Sequence, residues 1–389
     1  MMNRIFLCMI ILLSALGSFA QSDSSDLKIS VLTCAHGDQI YSSFGHCAFR
    51  AKSESLHIDR VYNYGTFNYK QPYFVIKFCR GFLNYALSAY GYSRFCYEYI
   101  RDKRNVVEQE LNLSPDQVQD MYKFLEWNAL EENRYYKYNF LEDNCATKIR
   151  DIIRDNCGGN VVFPDTTYGF TLRDGINERI EEMPWFRMGI TLLMGLPVDK
   201  KATSQTAMFL PDYVYSTLKA TTIMVDGVPQ PIVSRESVVI PFDTPVDRTD
   251  WLTYLSPSLL FWLIFAFWGL ATFYEVKKST YHAWADKLFF SLVGFFGLIC
   301  LVMWTLTEHT VTEWILNVLW VLPTHLVAAW TTRRRAWIPY FKVTAILTAA
   351  LLVLGPVFPQ HFDVAFYPVM LIIIMRAVRI GFCKMPDLR

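Results

Sequence analysis

The run Asp143-Asn144-Cys145-Ala146-Thr147 predicts the start of a helix with a cysteine in its first turn. Asp143 and Asn144 are natural N-cap residues. Earlier in the sequence, Ser42-Ser43-Phe44-Gly45-His46 leads into an apolar strand. A histidine on a strand and a cysteine at a helix start are the two partners that acyl-thioester chemistry needs.

The position of Cys145 favours an ionised thiol. Unpaired amides and the helix dipole lower the pKa of a cysteine at a helix start, and the same amides can hold a developing oxyanion. Cys157 is predicted at the other end of this helix, about 18 Å away, which is too far for a disulfide. We therefore expect a free thiol at Cys145. The alternative is that Cys145 is a small buried residue with a structural role.

His46 is the candidate general base and acid. Strand alternation sends Cys47 to the opposite face from His46, which makes Cys47 a poor rival nucleophile. A base at this position would deprotonate the thiol and later carry a proton for an incoming amine. A lone histidine is also compatible with a packing or surface role. Asn63 on the next strand is the candidate that orients the imidazole, with Asp59 second, and spacing does not decide between them.

The N-terminus predicts a signal peptide over residues 1–20, with Arg4, an apolar run at 5–16 and the cleavage site Ser18-Phe19-Ala20. The alternative is an uncleaved anchor helix. The following region, up to about residue 250, is then expected outside the cytoplasm. In an oxidising compartment its cysteines can pair. The pairing among them stays open for Cys34, Cys47, Cys79, Cys96 and Cys157.

The C-terminal third predicts five transmembrane helices, at residues 257–274, 288–306, 311–330, 343–358 and 364–380. A span needs roughly 17–25 residues, and only the fourth segment is slightly short. Lys and Arg are concentrated in loops 274–287 and 331–342 and in the C-terminal tail, whereas loops 307–312 and 357–363 have none. This asymmetry predicts a cytoplasmic C-terminus and an external N-terminal domain.

The predicted organisation has five parts. Residues 1–20 form the signal peptide, 21–160 the catalytic core, 161–220 a helical extension, 221–250 a proline-bearing stalk and 251–389 the five-span domain. The 37 basic residues barely exceed the 36 acidic ones, so no nucleic-acid partner is expected. No metal-type spacing such as Cys-x-x-Cys is present, and we expect no metal or organic cofactor.

Several motifs resemble the external domain of the Bacteroides-type lipoprotein N-acyltransferases (Lnb). They are Phe44-Gly45-His46, residues 62–67, residues 138–147, Pro184-Trp185, Gly195 with Asp199, and Phe209-Leu210-Pro211. The resemblance covers roughly residues 28–220. The order of histidine before cysteine is similar to the circularly permuted papain-like group that includes lecithin:retinol acyltransferase. The fold implied is an α+β permuted papain-like external domain joined to an all-α bundle of five transmembrane helices.

The resemblance also implies a reaction. An acyl chain from a membrane phospholipid would move to Cys145 as a thioester, and then to the α-amine of a lipoprotein's diacylglyceryl-cysteine. Cys145 would be the nucleophile, His46 the general base and acid, and Asn63 a possible orienter. The enzyme would lie in a bacterial inner membrane with its catalytic domain in the periplasm. Two alternatives stay open: a membrane-anchored Cys/His peptidase or amidase acting on cell-wall peptides, and a non-catalytic envelope scaffold.

Overall fold

The computed structural model describes residues 26–225, 227–242 and 255–383. The predicted signal peptide, the last part of the predicted stalk and the end of the C-terminal tail lie outside these ranges. The strands are β1 Lys28–Cys34, β2 His46–Ser53, β3 Ile58–Thr66, β4 Asn84–Gly91, β5 Val106–Leu111, β6 Tyr135–Lys137, β7 Val161–Val162, β8 Thr167–Thr171, β9 Lys201–Thr203, β10 Thr222–Val225, β11 Val228–Pro231 and β12 Val233–Ile240. The external helices are α1 Phe74–Arg80, α2 Tyr92–Arg101, α3 Pro115–Asn128, α4 Cys145–Asn156, α5 Leu172–Arg179, α6 Pro184–Leu193 and α7 Pro211–Ala220.

The external part is built on a seven-stranded antiparallel sheet with the order β12-β5-β1-β2-β3-β4-β6. Helices α3, α4 and α7 bury their apolar stripes against one face, and α2 covers the other face with Phe95 and Tyr99. The strand predicted after Gly45 corresponds to β2, and the next strand, which bears Asn63, corresponds to β3. A mixed sheet and helix domain therefore precedes the helical C-terminal region.

Two helix starts follow the local sequence signals. Helix α3 begins after Ser114, which forms a capping box with Gln117. Helix α4 begins at Cys145 after the N-cap Asn144 and buries Ile149, Ile152 and Ile153 on one side. The start of α4 was predicted from the residues alone, because capping depends only on residues within one turn.

The predicted stalk is wrong for residues 222–240. Strand β12 pairs with β5 as an edge of the main sheet, and β10 and β11 form a small sheet with β7. The pairing gives partners to backbone groups of β5 that would otherwise be unpaired. Pro229 and Pro231 lie in β11, an outer strand, where a missing N–H is tolerated.

The C-terminal region contains the helices α8 Pro257–Lys277, α9 Ala283–Leu306, α10 Ile338–Leu354 and α11 Phe366–Gly381. Three helical stretches of the described residues are long and apolar enough to span a membrane: Pro257–Lys277, Ala283–Leu306 and Arg335–Val357. Helix α11 has 16 residues and packs extensively on α10.

The prediction of a continuous helix over residues 311–330 is wrong. This segment consists of short helical turns at Thr310–Thr312, Leu316–Leu319, His325–Ala328 and Ala329–Thr331. Pro323 interrupts the helical hydrogen bonding. Non-helical backbone is tolerated at membrane depth only where protein covers it. Here Asn317 is buried, and its side-chain amide donates to the carbonyls of Thr191 and Leu192 in α6.

The irregular segment runs alongside α9 in the opposite direction. A β-carbon placed on Gly297 of α9 would lie 1.6 Å from the carbonyl oxygen of Val321, and one on Gly294 would lie 2.5 Å from the amide nitrogen of Leu326. Closer to the start of α9, Lys287 lies 5.0 Å from the ring centre of Trp330. The two glycines let the segment approach α9 closely over most of its length.

Helix α6 connects the two parts of the molecule. Its Leu192 is buried in the core of the helical region, together with residues such as Phe290 and Phe366. Directly after α6, the amide of Gly195 donates to the carbonyl of Val311 at 2.8 Å, and a β-carbon on Gly195 would lie 1.7 Å from the carbonyl oxygen of Glu313. The end of α6 is therefore packed as part of the helical region.

Candidate active site

Cys145 is held at the start of α4 by an extended cap. The side-chain oxygen of Asn144 accepts from the amides of Ala146 and Thr147 at 2.8 and 2.9 Å. The side-chain amide of Asn144 donates to the carbonyls of Phe140 and Phe209, both at 2.8 Å. Asn144 thus fixes the helix start to two separate loops. The cap uses the first-turn amides of Ala146 and Thr147, as the N-cap prediction for Asn144 implies.

His46 and Asn63 lie on the neighbouring strands β2 and β3. Nε2 of His46 donates to the side-chain oxygen of Asn63 at 2.5 Å. The side-chain amide of Asn63 donates to the hydroxyl of Tyr90 at 2.7 Å, which orients the asparagine with its oxygen toward the histidine. The other orienting candidate, Asp59, is paired with Arg50 at 2.7 Å instead. Since Asn63 occupies Nε2, Nδ1 is the ring nitrogen left for the sulfur of Cys145.

The thiol of Cys145 and the imidazole of His46 lie close enough to shift each other's ionisation. Burial opposes a charge on either group. The attraction between thiolate and imidazolium nevertheless lowers the pKa of Cys145 and raises that of His46. The amide of Cys47 also stabilises the thiolate, and Asn63 stabilises the charged imidazole. The structure therefore brings together Cys145, His46 and Asn63 in an arrangement that favours an ion pair.

The other thiols of the external domain differ from Cys145. Burial raises the pKa of Cys34 to about 12, that of Cys157 to about 11 and that of Cys47 well above its ordinary value. A thiolate is the reactive form of cysteine. Among Cys34, Cys47, Cys145 and Cys157, only the half-buried Cys145 has an environment that promotes the thiolate. Each cysteine in the described residues is a free thiol, so the open disulfide pairings are not formed in this structure.

Two residues near the sulfur were missed by the sequence analysis. Gly65 has a positive φ of +90°, and a β-carbon there would lie 3.6 Å from Cβ of Cys145 and 4.0 Å from Cε1 of His46. The hydroxyl oxygen of Tyr136 would lie 3.9 Å from the same point. The missing side chain of Gly65 thus leaves a small space lined by the cysteine, the imidazole and a phenol.

The hydroxyl of Tyr136 is buried and has no hydrogen-bond partner within the described part of the chain. Burial, with the nearby Cys145 second, raises the pKa of Tyr136 well above its ordinary value, so the phenol remains a proton donor at neutral pH. A glycine inside a strand pattern often marks a bulge or a close approach, and the register between β3 and β4 does shift between Asn63 and Thr66. That signal could have identified Gly65. No local signal identifies Tyr136.

The site lies next to the loop that follows α9. The hydroxyl of Thr310 donates to the side-chain oxygen of Asn139 at 3.1 Å, and Lys137 forms an ion pair with Glu308. Asn139 belongs to the run that leads into Cys145, and its oxygen also accepts from the amides of Leu141 and Glu142. The loop before the cysteine is therefore attached to the end of a candidate membrane span. Within the described residues, no group of His, Cys, Asp or Glu could hold a metal ion.

Comparisons with known proteins agree with this division of the molecule. The model of the Lnb N-terminal periplasmic domain matches residues 18–169, which include His46, Asn63 and Cys145. The model of the Lnb transmembrane domain matches residues 247–385. No curated protein and no solved structure matches the chain. The two matches come from one family, lie in the expected order and together cover most of the sequence. The chain therefore belongs to the Lnb family, with a periplasmic N-terminal domain followed by a transmembrane domain.

Proposed function

We propose that this protein is a lipoprotein N-acyltransferase that uses Cys145 as its nucleophile. The observation that carries the proposal is the half-buried pair of Cys145 and His46 beside Gly65, in which the thiol pKa is lowered and the imidazole pKa is raised. Asn63 would act as the orienter of the imidazole through its 2.5 Å hydrogen bond. Membership of the Lnb family supports lipoprotein acylation as the reaction class.

In the first half-reaction, the thiolate of Cys145 attacks the ester carbonyl of a phospholipid and forms a carbon–sulfur bond. The carbon–oxygen bond of the ester breaks, and the imidazolium of His46 gives its proton to the departing lysophospholipid oxygen. In the second half-reaction, the α-amine of a lipoprotein's diacylglyceryl-cysteine attacks the thioester. Nδ1 of His46 takes the amine proton, and the carbon–sulfur bond breaks to restore the thiolate.

Tyr136 is the proposed hydrogen-bond donor to the oxyanion that forms in both halves. Its hydroxyl is buried beside the space above Gly65 and has no competing partner in the described part of the chain. A donor that is unsatisfied in the resting site and satisfied in the transition state stabilises only the transition state. The amide of Cys145 is the proposed second donor, because the cap occupies the amides of Ala146 and Thr147.

The membrane attachment favours lipid substrates over cell-wall peptides. Donor and acceptor both lie in the outer leaflet of the inner membrane, and the loop before Cys145 is attached to the end of α9 through Thr310. The irregular segment beside α9 supports a topology of five crossings with a cytoplasmic C-terminus, in which the third crossing is not a continuous helix. A peptidase of the same nucleophile class would not require this attachment.

The test compares native lipoprotein N-termini by mass spectrometry in strains with the wild-type protein, Cys145→Ala or Cys96→Ala. Cys96 is another free thiol of the external domain and serves as the control. We expect triacylated N-termini to be lost only with Cys145→Ala. In addition, the purified wild-type protein mixed with phospholipid vesicles should gain one acyl mass on the Cys145 peptide. Retained triacylation with altered cell-wall peptides would favour the peptidase, and retained triacylation without such a change would favour the scaffold.

A further inference from the structure

We infer that residues 67–82 insert into the outer leaflet of the membrane and form the lipid-facing side of the route to Cys145. The insertion stands by itself, and the route rests on the proposed acyl transfer. The segment comprises the connection after β3, helix α1 and the turn that leads into β4. Its sequence is Phe-Asn-Tyr-Lys-Gln-Pro-Tyr-Phe-Val-Ile-Lys-Phe-Cys-Arg-Gly-Phe.

The segment exposes an unusual amount of apolar side-chain surface. Helix α1 has no buried residue. Tyr73 is 75% exposed, Val75 69% and Ile76 59%. The other exposed large side chains of the segment are Phe67, Tyr69, Phe78 and Phe82. A contiguous apolar patch of this kind on a soluble surface is costly and marks a protein or membrane contact.

The position of the segment identifies the membrane as the contact. The amide of Glu308 donates to the carbonyl of Arg80 at 3.0 Å, and Nε2 of His309 donates to the carbonyl of Phe78 at 2.9 Å. Glu308 and His309 follow directly after α9, a candidate span that ends at the exposed Leu306. Helix α1 therefore lies at the level where a membrane helix leaves the bilayer, and its apolar surface continues the lipid-facing surface of α9.

The charges of the segment fit the head-group region. It contains Lys70, Lys77 and Arg80 and no acidic residue. Basic residues combined with exposed aromatic and aliphatic side chains are typical of elements that lie in the membrane interface. Tyrosine is also favoured at this depth, where its ring is apolar and its hydroxyl meets water. The partner that fits this surface is a phospholipid leaflet, with its phosphates near the three cations.

A series of aromatic contacts connects the segment to the active site. The rings of Phe67 and Phe74 stack with centres 5.8 Å apart, and Phe67 also contacts Tyr85 at 5.2 Å. Tyr85 stacks on Tyr138 with ring centres 4.2 Å apart. Burial, with the nearby Cys145 second, raises the pKa of Tyr138 well above its ordinary value. An acyl chain that enters beside α1 thus meets apolar rings as far as the neighbourhood of the sulfur. Its ester could reach Cys145 while the remainder of the chain stays in the bilayer.

The insertion is tested with a spin label on Cys79, an exposed cysteine in α1. In the full chain with Cys96, Cys145 and Cys383 replaced by serine, Cys79 is the remaining cysteine that is not buried in the described residues. The control moves the label to the turn after β2 by Glu54→Cys with Cys79→Ser. That turn is separated from His46 by the length of β2, about 25 Å. Both proteins are reconstituted in vesicles of phosphatidylethanolamine and phosphatidylglycerol.

We expect the label at position 79 to collide more with oxygen than with a water-soluble nickel complex, and the label at position 54 to show the reverse. This outcome does not depend on catalysis, because the nucleophile is absent. Equal access of the nickel complex at both positions overturns the insertion. Shielding of position 79 from both reagents also overturns it, since it would mean that protein covers the patch.

The route is tested with Ile76→Glu and the control Ile100→Glu, which changes a similarly exposed isoleucine in α2. Thioester formation from vesicles should be lost in Ile76→Glu and retained in Ile100→Glu. Alkylation of Cys145 by iodoacetamide should be the same in both, which shows an intact site. Equal thioester formation by the two variants overturns the route. If the wild-type protein forms no thioester, the proposed function fails instead, and the spin-label result still decides the insertion.

Discussion

Replacing Tyr136 by phenylalanine removes a single oxygen atom from the candidate active site. The hydroxyl is buried and has no hydrogen-bond partner within the described residues, so the substitution breaks no bond of the resting protein. A buried unsatisfied polar group costs about 1–3 kcal/mol. Tyr136→Phe should therefore leave the free energy of unfolding unchanged or raise it by up to that amount. For most buried tyrosines, whose hydroxyls are paired, the same substitution would be destabilising.

The effect on catalysis should be opposite in sign. In the proposed reaction the hydroxyl gains its partner only when the carbonyl oxygen becomes negative. Loss of one donor to such an oxyanion lowers kcat by about 10²–10³. Alkylation of Cys145 by iodoacetamide involves no oxyanion, so its rate should not change. The combination of a slow transfer, a normal thiol and an undiminished stability is the specific signature of this role.

The assay measures acyl transfer to a diacylated lipopeptide in proteoliposomes, together with the alkylation rate of Cys145 and the thermal unfolding temperature. A normal transfer rate in Tyr136→Phe would refute the oxyanion role. A parallel loss of transfer and alkylation would mean instead that Tyr136 positions the thiol. A drop in unfolding temperature would show that the hydroxyl has a partner in the folded protein.

Three further outcomes follow from the structure. The alkylation rate of Cys145 should rise with pH at a midpoint below the ordinary thiol pKa of 9.0. His46→Gln should move that midpoint upward, because burial then raises the thiol pKa without the opposing effect of the imidazolium. An unchanged midpoint would contradict the ion pair. Gly65→Ala should lower the free energy of unfolding by about 1–2 kcal/mol in chemical unfolding, since its φ is +90°, and an equally stable variant would show that β3 can relax at this register shift. Gly195→Ala should lower the free energy of unfolding by about 1–3 kcal/mol through overpacking, because its β-carbon would meet the backbone of Glu313. The control Gly189→Ala, whose β-carbon would have no atom within 4 Å, should leave stability unchanged. Equal abundance of the two variants in membranes would argue against the tight contact at Gly195.

The parts of the molecule that were predictable depend on local chemistry. The start of α4 follows from Asn144 and the residues of one turn. The pairing of consecutive strands made Asn63 a candidate, although spacing did not decide between Asn63 and Asp59. The side of β2 that bears His46 follows from strand alternation. These features need no knowledge of distant segments, so the sequence was sufficient to bring Cys145, His46 and Asn63 into one hypothesis.

The features that were missed depend on contacts between distant segments. Tyr136 reaches the site on β6, whose place next to β4 has no local sequence signal. The apolar composition of residues 311–330 is that of a span, but its shape is set by Asn317 bonding to α6 and by the glycines of α9. Strand β12 joins β5 across a long separation in sequence, and the prolines that flank β12 suggested a stalk instead.

The packing of α6 sets an order for the assembly of this protein. Leu192 is enclosed by side chains from helices that the ribosome produces much later, and Gly195 closes against residues 311–313. Until those final helices are in place, the apolar end of α6 has no cover from the helical region. A chain cut short before them would leave Leu192 exposed to water. Burial of the end of α6 therefore requires the complete helical region.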